Sequence, residues 1–376
     1  MQTANNYKNL FEIADDITYL NCSSMSPLLK SVKEAGINSL ERRSKPWELT
    51  DKDWFEDAEV LRNKASKIFQ TSEDNVALIP SASYGLATAA KNLKVRPGKS
   101  IILIEEQFPS NYYVWDNLSE KLDLKLITIK KQNGKLLTDS ILESINSETG
   151  IVAIPNCHWI DGSLINLEMI SKAIKEVSAY LILDLSQSLG ALPININQID
   201  PDFAVSVGYK WMLGPYSLGY MYVSPKWQNG EPLEYNWSAR KGSDDFQSLT
   251  FYTPEYRNGA RKFDMGEFSH FNTMQMAIAA LDQILNWEVG NIHSSIKELT
   301  NIISEHLSKD KDHQKPLTTN AGHIISVPIG NRDLATLKKK FAENKIFVSF
   351  RGSSIRISPH LYNDASDINK LLNCLY

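Results

Sequence analysis

The sequence predicts an α/β protein: a mostly parallel sheet in a large domain, with a smaller α+β domain at the C-terminal end. Three observations predict it. Short apolar runs without alternation recur through the first part of the chain, and amphipathic stretches separate them. Beyond residue 272 the order changes to helix followed by closely spaced strands. Unalternating strands interleaved with helices belong to a sheet covered on both faces.

The elements follow in order. "NVALIP" (75–80) reads as a strand and "GLATAAKNL" (85–93) as a helix. "SIILIEE" (100–106) is a strand, followed by helical "NYYVWDNLSEKL". "GIVAIPN" (150–156) precedes the helix "NLEMISKAIKEV" (166–177). The strands "YLILDL" (180–185), "DFAVSV" (202–207) and "GYMYVS" (219–224) come next. Residues 226–262 are polar and loop-like, and "NTMQMAIAALDQILNWEV" (272–289) predicts one long helix. A further helix, the strands "HIISVPI", "IFVSF" and "IRIS", and the helix "DASDINKLLNCL" complete the chain. The expected boundaries are 20–272 for the large domain and 273–376, with 1–19, for the small one.

Composition narrows the function. The 376 residues are 42% hydrophobic and 22% charged, with a net charge of −4. That balance carries no basic excess for nucleic acid. No apolar run approaches the roughly 20 residues that span a bilayer. The start "MQTANNYKNLFEIADD" lacks the basic and apolar regions of a secretory signal, so the cytoplasm is expected. Cys22, Cys157 and Cys374 are too few for a disulfide framework and suit no metal site.

Chemistry is expected past the C-terminal strand ends, where such sheets bind ligands. "YLILDLSQSLG" delivers Asp184 there, and "DFAVSVGYKWMLGP" delivers Lys210 between Tyr209 and Trp211. From spacing alone, Asp184 and Lys210 can simply form an ion pair. Alternatively, desolvation lowers the pKa of Lys210 and makes it a Schiff-base nucleophile. In "IPSASYGLATAA", Ser81, Ser83 and the N–H groups around Gly85 can hold a phosphate at a helix start, or Ser81 can serve only as an N-cap. Phe108, in "EEQFPSNYYVW", is either a core aromatic or a flat surface for a ring. "NCHWIDGS" offers His158, Trp159 and Asp161, the histidine as a proton carrier or as a satisfied polar residue.

"DLSQSLGALPINI" followed by "DFAVSVGYKWMLGPYSLGYMYV" resembles the signature of class V aminotransferases, which bind pyridoxal 5′-phosphate. "YLNCSSMSPL", "SASYG", "YRNGARKFDMGEFSHFN" and "FRGSSIRISPHLYN" resemble further segments of that family, in its order, from residue 19 to 363. The resemblance implies the fold of type I pyridoxal-phosphate enzymes and a homodimer with shared sites. It implies that Lys210 forms the Schiff base, Asp184 holds the pyridine nitrogen and Gln187 the 3′-oxygen. Ala82, Ser83, Ser206 and Tyr209 match phosphate contacts, and Phe108 the residue stacked on the ring. Asp161 falls near a second cofactor contact. Asn272, and Trp237 less directly, fall where a neighbouring subunit reaches the phosphate. Arg356 matches the arginine that holds the carboxylate of an amino acid substrate.

The reaction stays open at this stage. Desulfurases need a cysteine shortly before the arginine strand, and "ENKIFVSFRGSSIRIS" has none. Phe108 resembles kynureninases, but Gln187 stands where those have histidine. An aminotransferase is the first expectation, with Cβ–X elimination or epimerisation as alternatives. A cofactor-binding protein without turnover is the non-enzymatic one.

Overall fold

The computed structural model describes residues 7–132, 134–308 and 320–375. After the two-residue strand β1 (Thr18–Tyr19) come helices α1 (Lys30–Arg43) and α2 (Glu56–Phe69). The main sheet then starts with β2 (Val76–Ile79), α3 (Ala82–Asn92), β3 (Ser100–Ile104), α4 (Ser110–Leu122), β4 (Lys125–Ile129) and α5 (Leu137–Ser144). It continues with β5 (Thr149–Pro155), α6 (Leu167–Val177), β6 (Tyr180–Asp184), the single turn α7 (Ile196–Ile199), β7 (Phe203–Val207) and β8 (Gly219–Val223).

The strand order is β2-β8-β7-β6-β5-β3-β4. Only β8 runs against the others, because the tight 208–218 loop returns it beside β7. Two apolar layers cover the sheet. Val205 and Val207 pack with α3 on one face, while Ala204 belongs to the other. The fold is therefore the predicted α/β arrangement. Several elements have no counterpart in the sequence expectations, among them β1, α1, α2, α5, α7 and, in the main sheet, β4. The last is an edge strand whose Lys125 and Thr128 are exposed and only Ile129 buried, so it lacks the unbroken apolar run of its neighbours.

The C-terminal part keeps the expected long helix as α8 (Met274–Trp287), which ends at Glu288 (φ 65°), and the expected further helix as α9 (Val289–Leu307), but differs in its strands. "IFVSF" is not one strand. Its first half is β10 (Ile346–Phe347), paired in parallel with β1. Its second half starts β11 (Ser349–Arg351), which forms a hairpin with β12 (Ser354–Ile357), and β12 pairs with β9 (Ile325–Pro328). Helices α10 (Leu334–Glu343) and α11 (Ala365–Leu375) pack in the core of this smaller sheet. Among the described residues no helix is long and apolar enough to cross a membrane.

Candidate active site

One cavity collects the C-terminal ends of the parallel strands. Ala82 enters after β2, Gln107 and Phe108 after β3, and Pro155, Cys157 and Trp159 from β5 onward. Asp184, Ser186 and Gln187 follow β6, and Val207, Tyr209 and Lys210 follow β7. The space between them, open solvent included, is about 460 Å³. Adjacent strands in register explain the convergence: Pro155 lies beside Asp184, and Asp184 beside Val205.

Lys210 is held by its loop. The Gly208 N–H donates to the Leu218 carbonyl, and the Gly214 N–H to the Gly208 carbonyl, both at 2.9 Å. A Cβ on Gly208 would sit 2.4 Å from the Leu218 oxygen, so only glycine closes this turn. From the N-terminal segment the Ser26 N–H donates to the Tyr209 carbonyl at 3.0 Å. The Lys210 side chain ends 5.3 Å from the centre of the Phe108 ring and 5.7 Å from that of Tyr209. Burial pulls its pKa down to about 8; Asp184 opposes that shift, and Arg356 and Arg351 add to it. Among the described residues Lys210 makes no ion pair, so Asp184 acts on it only through space. The simple Asp184–Lys210 bridge permitted by spacing is absent. Asp184 instead accepts the Ser186 N–H at 3.0 Å.

The surrounding groups are fixed from behind. Gln187 donates to the Ser23 carbonyl and accepts from the Trp211 indole, each at 3.0 Å. Phe108 stands edge-on to Trp159 with ring centres 5.6 Å apart. Ser81 caps α3 by accepting the Tyr84 N–H at 3.1 Å, which leaves the first N–H groups of that helix for another acceptor. Gly85 lets α3 lie on the sheet, since a Cβ there would meet Val205 at 2.5 Å. Arg356 is 1% exposed and donates to the Trp159 carbonyl at 2.8 Å, while its Nε has no partner among the described residues. Burial and then the charge of Arg351 pull it down to about 9.

Several expected contacts lie elsewhere. Ser206 does not line the cavity. It alternates with Val207 on β7, Val207 takes the cavity side, and the Ser206 hydroxyl turns to the Val207 carbonyl. Asp161 is committed to Lys131 at 2.7 Å and to His158 at 3.2 Å. Burial opposes its charge, but the His158 contact and Lys131 outweigh that and hold the carboxyl well below the usual range. His158 is 0% exposed and faces this pair rather than the cavity. Ser83 and Asn272 are exposed and outside the cavity. Trp237 packs against Trp54 and Phe246, also outside it. Sequence reasoning missed Gln107. Its Nε2 donates to the Ala153 and Asn111 carbonyls, both at 2.9 Å, which fixes the amide beside Phe108. Its place in a strand-end loop was the available signal.

The family description Aminotransferase class-V matches residues 48–371. The chain belongs to that family. It is 25% identical over 377 residues to an uncharacterised aminotransferase of Bacillus subtilis, covering 98% of this chain and 96% of that protein. It is 24% identical to a kynureninase of Shouchella clausii, covering 96% and 88% of the two chains. The structure of a cysteine desulfurase from Thermococcus onnurineus superposes with a TM-score of 0.85 at 18% identity, over 99% of this chain and 97% of that one. A cystine C–S lyase superposes at 0.84 with 17% identity, over 96% and 97%. The fold is thus that of the type I pyridoxal-phosphate enzymes, and pyridoxal 5′-phosphate is the cofactor of this enzyme family.

The cavity fits that group. It offers a buried amine without an ion pair among the described residues and a carboxylate at a strand end. It also offers open N–H groups at a helix start; Arg356 does not line it but stands behind Trp159, which does, with an Nε that has no partner among the described residues.

Proposed function

We propose that this protein is an aminotransferase acting on α-amino acids, with Lys210 as its catalytic lysine. The single observation that carries the reading is the state of Lys210: buried, without an ion pair among the described residues, and shifted toward its neutral form. A neutral amine is the nucleophile a carbonyl cofactor requires. When bound, pyridoxal phosphate supplies an aldehyde and a ring that accepts the electron pair left at Cα.

The chain's own residues do the rest. Lys210 would hold the cofactor and, with its amine free, would move the proton at Cα. Asp184 holds the ring nitrogen protonated. Phe108 and Trp159 cover the reacting centre and limit water. Ala82, with the adjoining N–H groups at the start of α3, binds the phosphate. Gln187 and Tyr209, which line the cavity, would hold the ring. Arg356 binds the substrate carboxylate and is itself oriented by the Trp159 carbonyl.

Residues 20–272 form the cofactor-binding domain in this reading, and 273–376 with 1–19 close over the substrate. Two copies share their sites. The exposed Asn272 and the 40% exposed Trp237 reach a partner's phosphate rather than their own.

Persulfide chemistry is disfavoured by two features. Cys157 lines the cavity, but burial pushes its thiol well above the ordinary range, so it stays protonated. The turn between β11 and β12 is only Gly352-Ser353, which leaves no loop to carry a nucleophile.

The test is incubation of cofactor-loaded protein with an amino acid panel. Release of the matching 2-oxo acid with conversion of the cofactor to its amine form supports transamination. Pyruvate with ammonia, or loss of optical activity alone, overturns it in favour of elimination or epimerisation. Borohydride treatment must leave the cofactor on Lys210 in a peptide map.

A further inference from the structure

Arg351 and Arg356 sit on one hairpin. Strand pairing sets Arg351 opposite Ser354 and Ser349 opposite Arg356. Cross-strand partners share a face, as do residues two apart on a strand, so both arginines project from the same side. Gly352, with φ +54°, makes the two-residue turn that sets this register. That side faces Trp159: the Arg351 guanidinium carbon is 5.4 Å from its ring centre and that of Arg356 is 5.9 Å.

Each arginine also has a buried Nε without a hydrogen-bond partner among the described residues. The remaining contacts of Arg356 are the neutral Trp159 carbonyl and Ser349 hydroxyl; Arg351 donates to the Phe350 carbonyl. No described carboxylate pairs with either. Two neighbouring guanidinium groups repel each other, and Arg351 lowers the proton affinity of Arg356 accordingly. Burying such charges is costly unless anions meet them. One substrate α-carboxylate satisfies one planar fork and leaves the other orphaned.

We propose that the substrate is an amino acid whose side chain ends in a second anionic group, bound by Arg351 while Arg356 binds the α-carboxylate. This rests on the aminotransferase reading and adds its substrate class. A carboxylate or a phosphate meets the same chemistry.

The experiment uses the cofactor-loaded protein. Aspartate, glutamate and O-phosphoserine are compared with alanine, leucine and phenylalanine in the first half-reaction. Glutarate and butyrate, which do not react, are compared by calorimetry. An anionic side chain is expected to raise kcat/KM at least about tenfold, and glutarate to bind more tightly than butyrate. The carboxylate and phosphate arms separate the two anion types. Arg351→Gln is expected to lower the preference about ten- to a hundredfold, mainly through KM, and Arg351→Lys to restore part of it. Equal use of neutral amino acids by the unsubstituted enzyme overturns the proposal, as does a preference unchanged in Arg351→Gln. With the lysine-linked cofactor band present, either result defeats the substrate class alone. Absence of that band defeats the aminotransferase reading as well.

Discussion

Two buried sets of opposite charges in this molecule are handled in opposite ways. Arg62 is 0% exposed and Asp264 1%. They meet at 2.7 Å, and the other oxygen of Asp264 takes the Leu78 N–H at 2.7 Å. Arg62 also donates to the Val76 carbonyl. That set continues through Glu59, 3.4 Å from the Arg62 Nε, to Arg257 and Arg261, and it ties α2 to β2 and to the segment after residue 263. Lys210 and Asp184 are each 7% exposed, yet no bridge joins them, and Arg356 beside them lacks any described counter-ion. A buried charge with its partner in place is architecture. One held apart from its partner leaves a desolvation cost that a ligand can offset.

The largest effect that separates the two sets is on turnover. Lys210→Ala is expected to lower kcat by at least about a thousandfold, because the covalent anchor and the proton carrier are lost together. Its thermal midpoint in the cofactor-free protein should hold or rise, since a buried amine without an ion pair among the described residues is removed. Steady-state kinetics and a thermal melt check both halves. A melt lowered as far as that of an Arg62 variant would show that Lys210 is architecture too.

Arg62→Ala should behave in the reverse sense. Asp264 would remain buried without its partner, at a cost of about 3–5 kcal/mol in chemical denaturation. The chain that still folds should keep its cofactor band and most of its kcat, because Arg62 does not line the cavity. Loss of less than about 1 kcal/mol would place the pair among the weak salt bridges.

The same contrast explains what was legible in the sequence. Asp184 ends an unbroken apolar run and Lys210 lies three residues past a largely apolar one, so their placement at the sheet's C-terminal edge can be read directly. Arg356 stands in a strand whose neighbours are buried apolar residues, which marks it as a charge held inside. Side-chain direction was less legible. Ser206 and Val207 differ by one position on β7, and a one-residue difference exchanges the faces of the sheet. Partners distant in sequence were not legible at all. Asp161 is claimed by Lys131 from the loop after β4, a strand that carries no strong apolar signal of its own. Arg62 finds Asp264 202 residues away, and nothing in either neighbourhood announces it.

The subtlest separation lies in pH. In the cofactor-free protein, burial lowers Lys210 to about 8 while Asp184 acts to raise it. Only the neutral amine attacks an aldehyde, so the rate of cofactor capture should climb about tenfold per pH unit below that midpoint and level off above it. Removing the negative charge removes the raising influence. Asp184→Asn should therefore move the midpoint to lower pH, giving faster capture at neutral pH even though the captured cofactor turns over poorly. Stopped-flow mixing with pyridoxal phosphate across the pH range measures both. A midpoint unmoved by Asp184→Asn would mean that the two groups do not feel each other. Lys210 would then owe its shift to burial and the two arginines alone, and the pair would no longer contrast with Arg62 and Asp264.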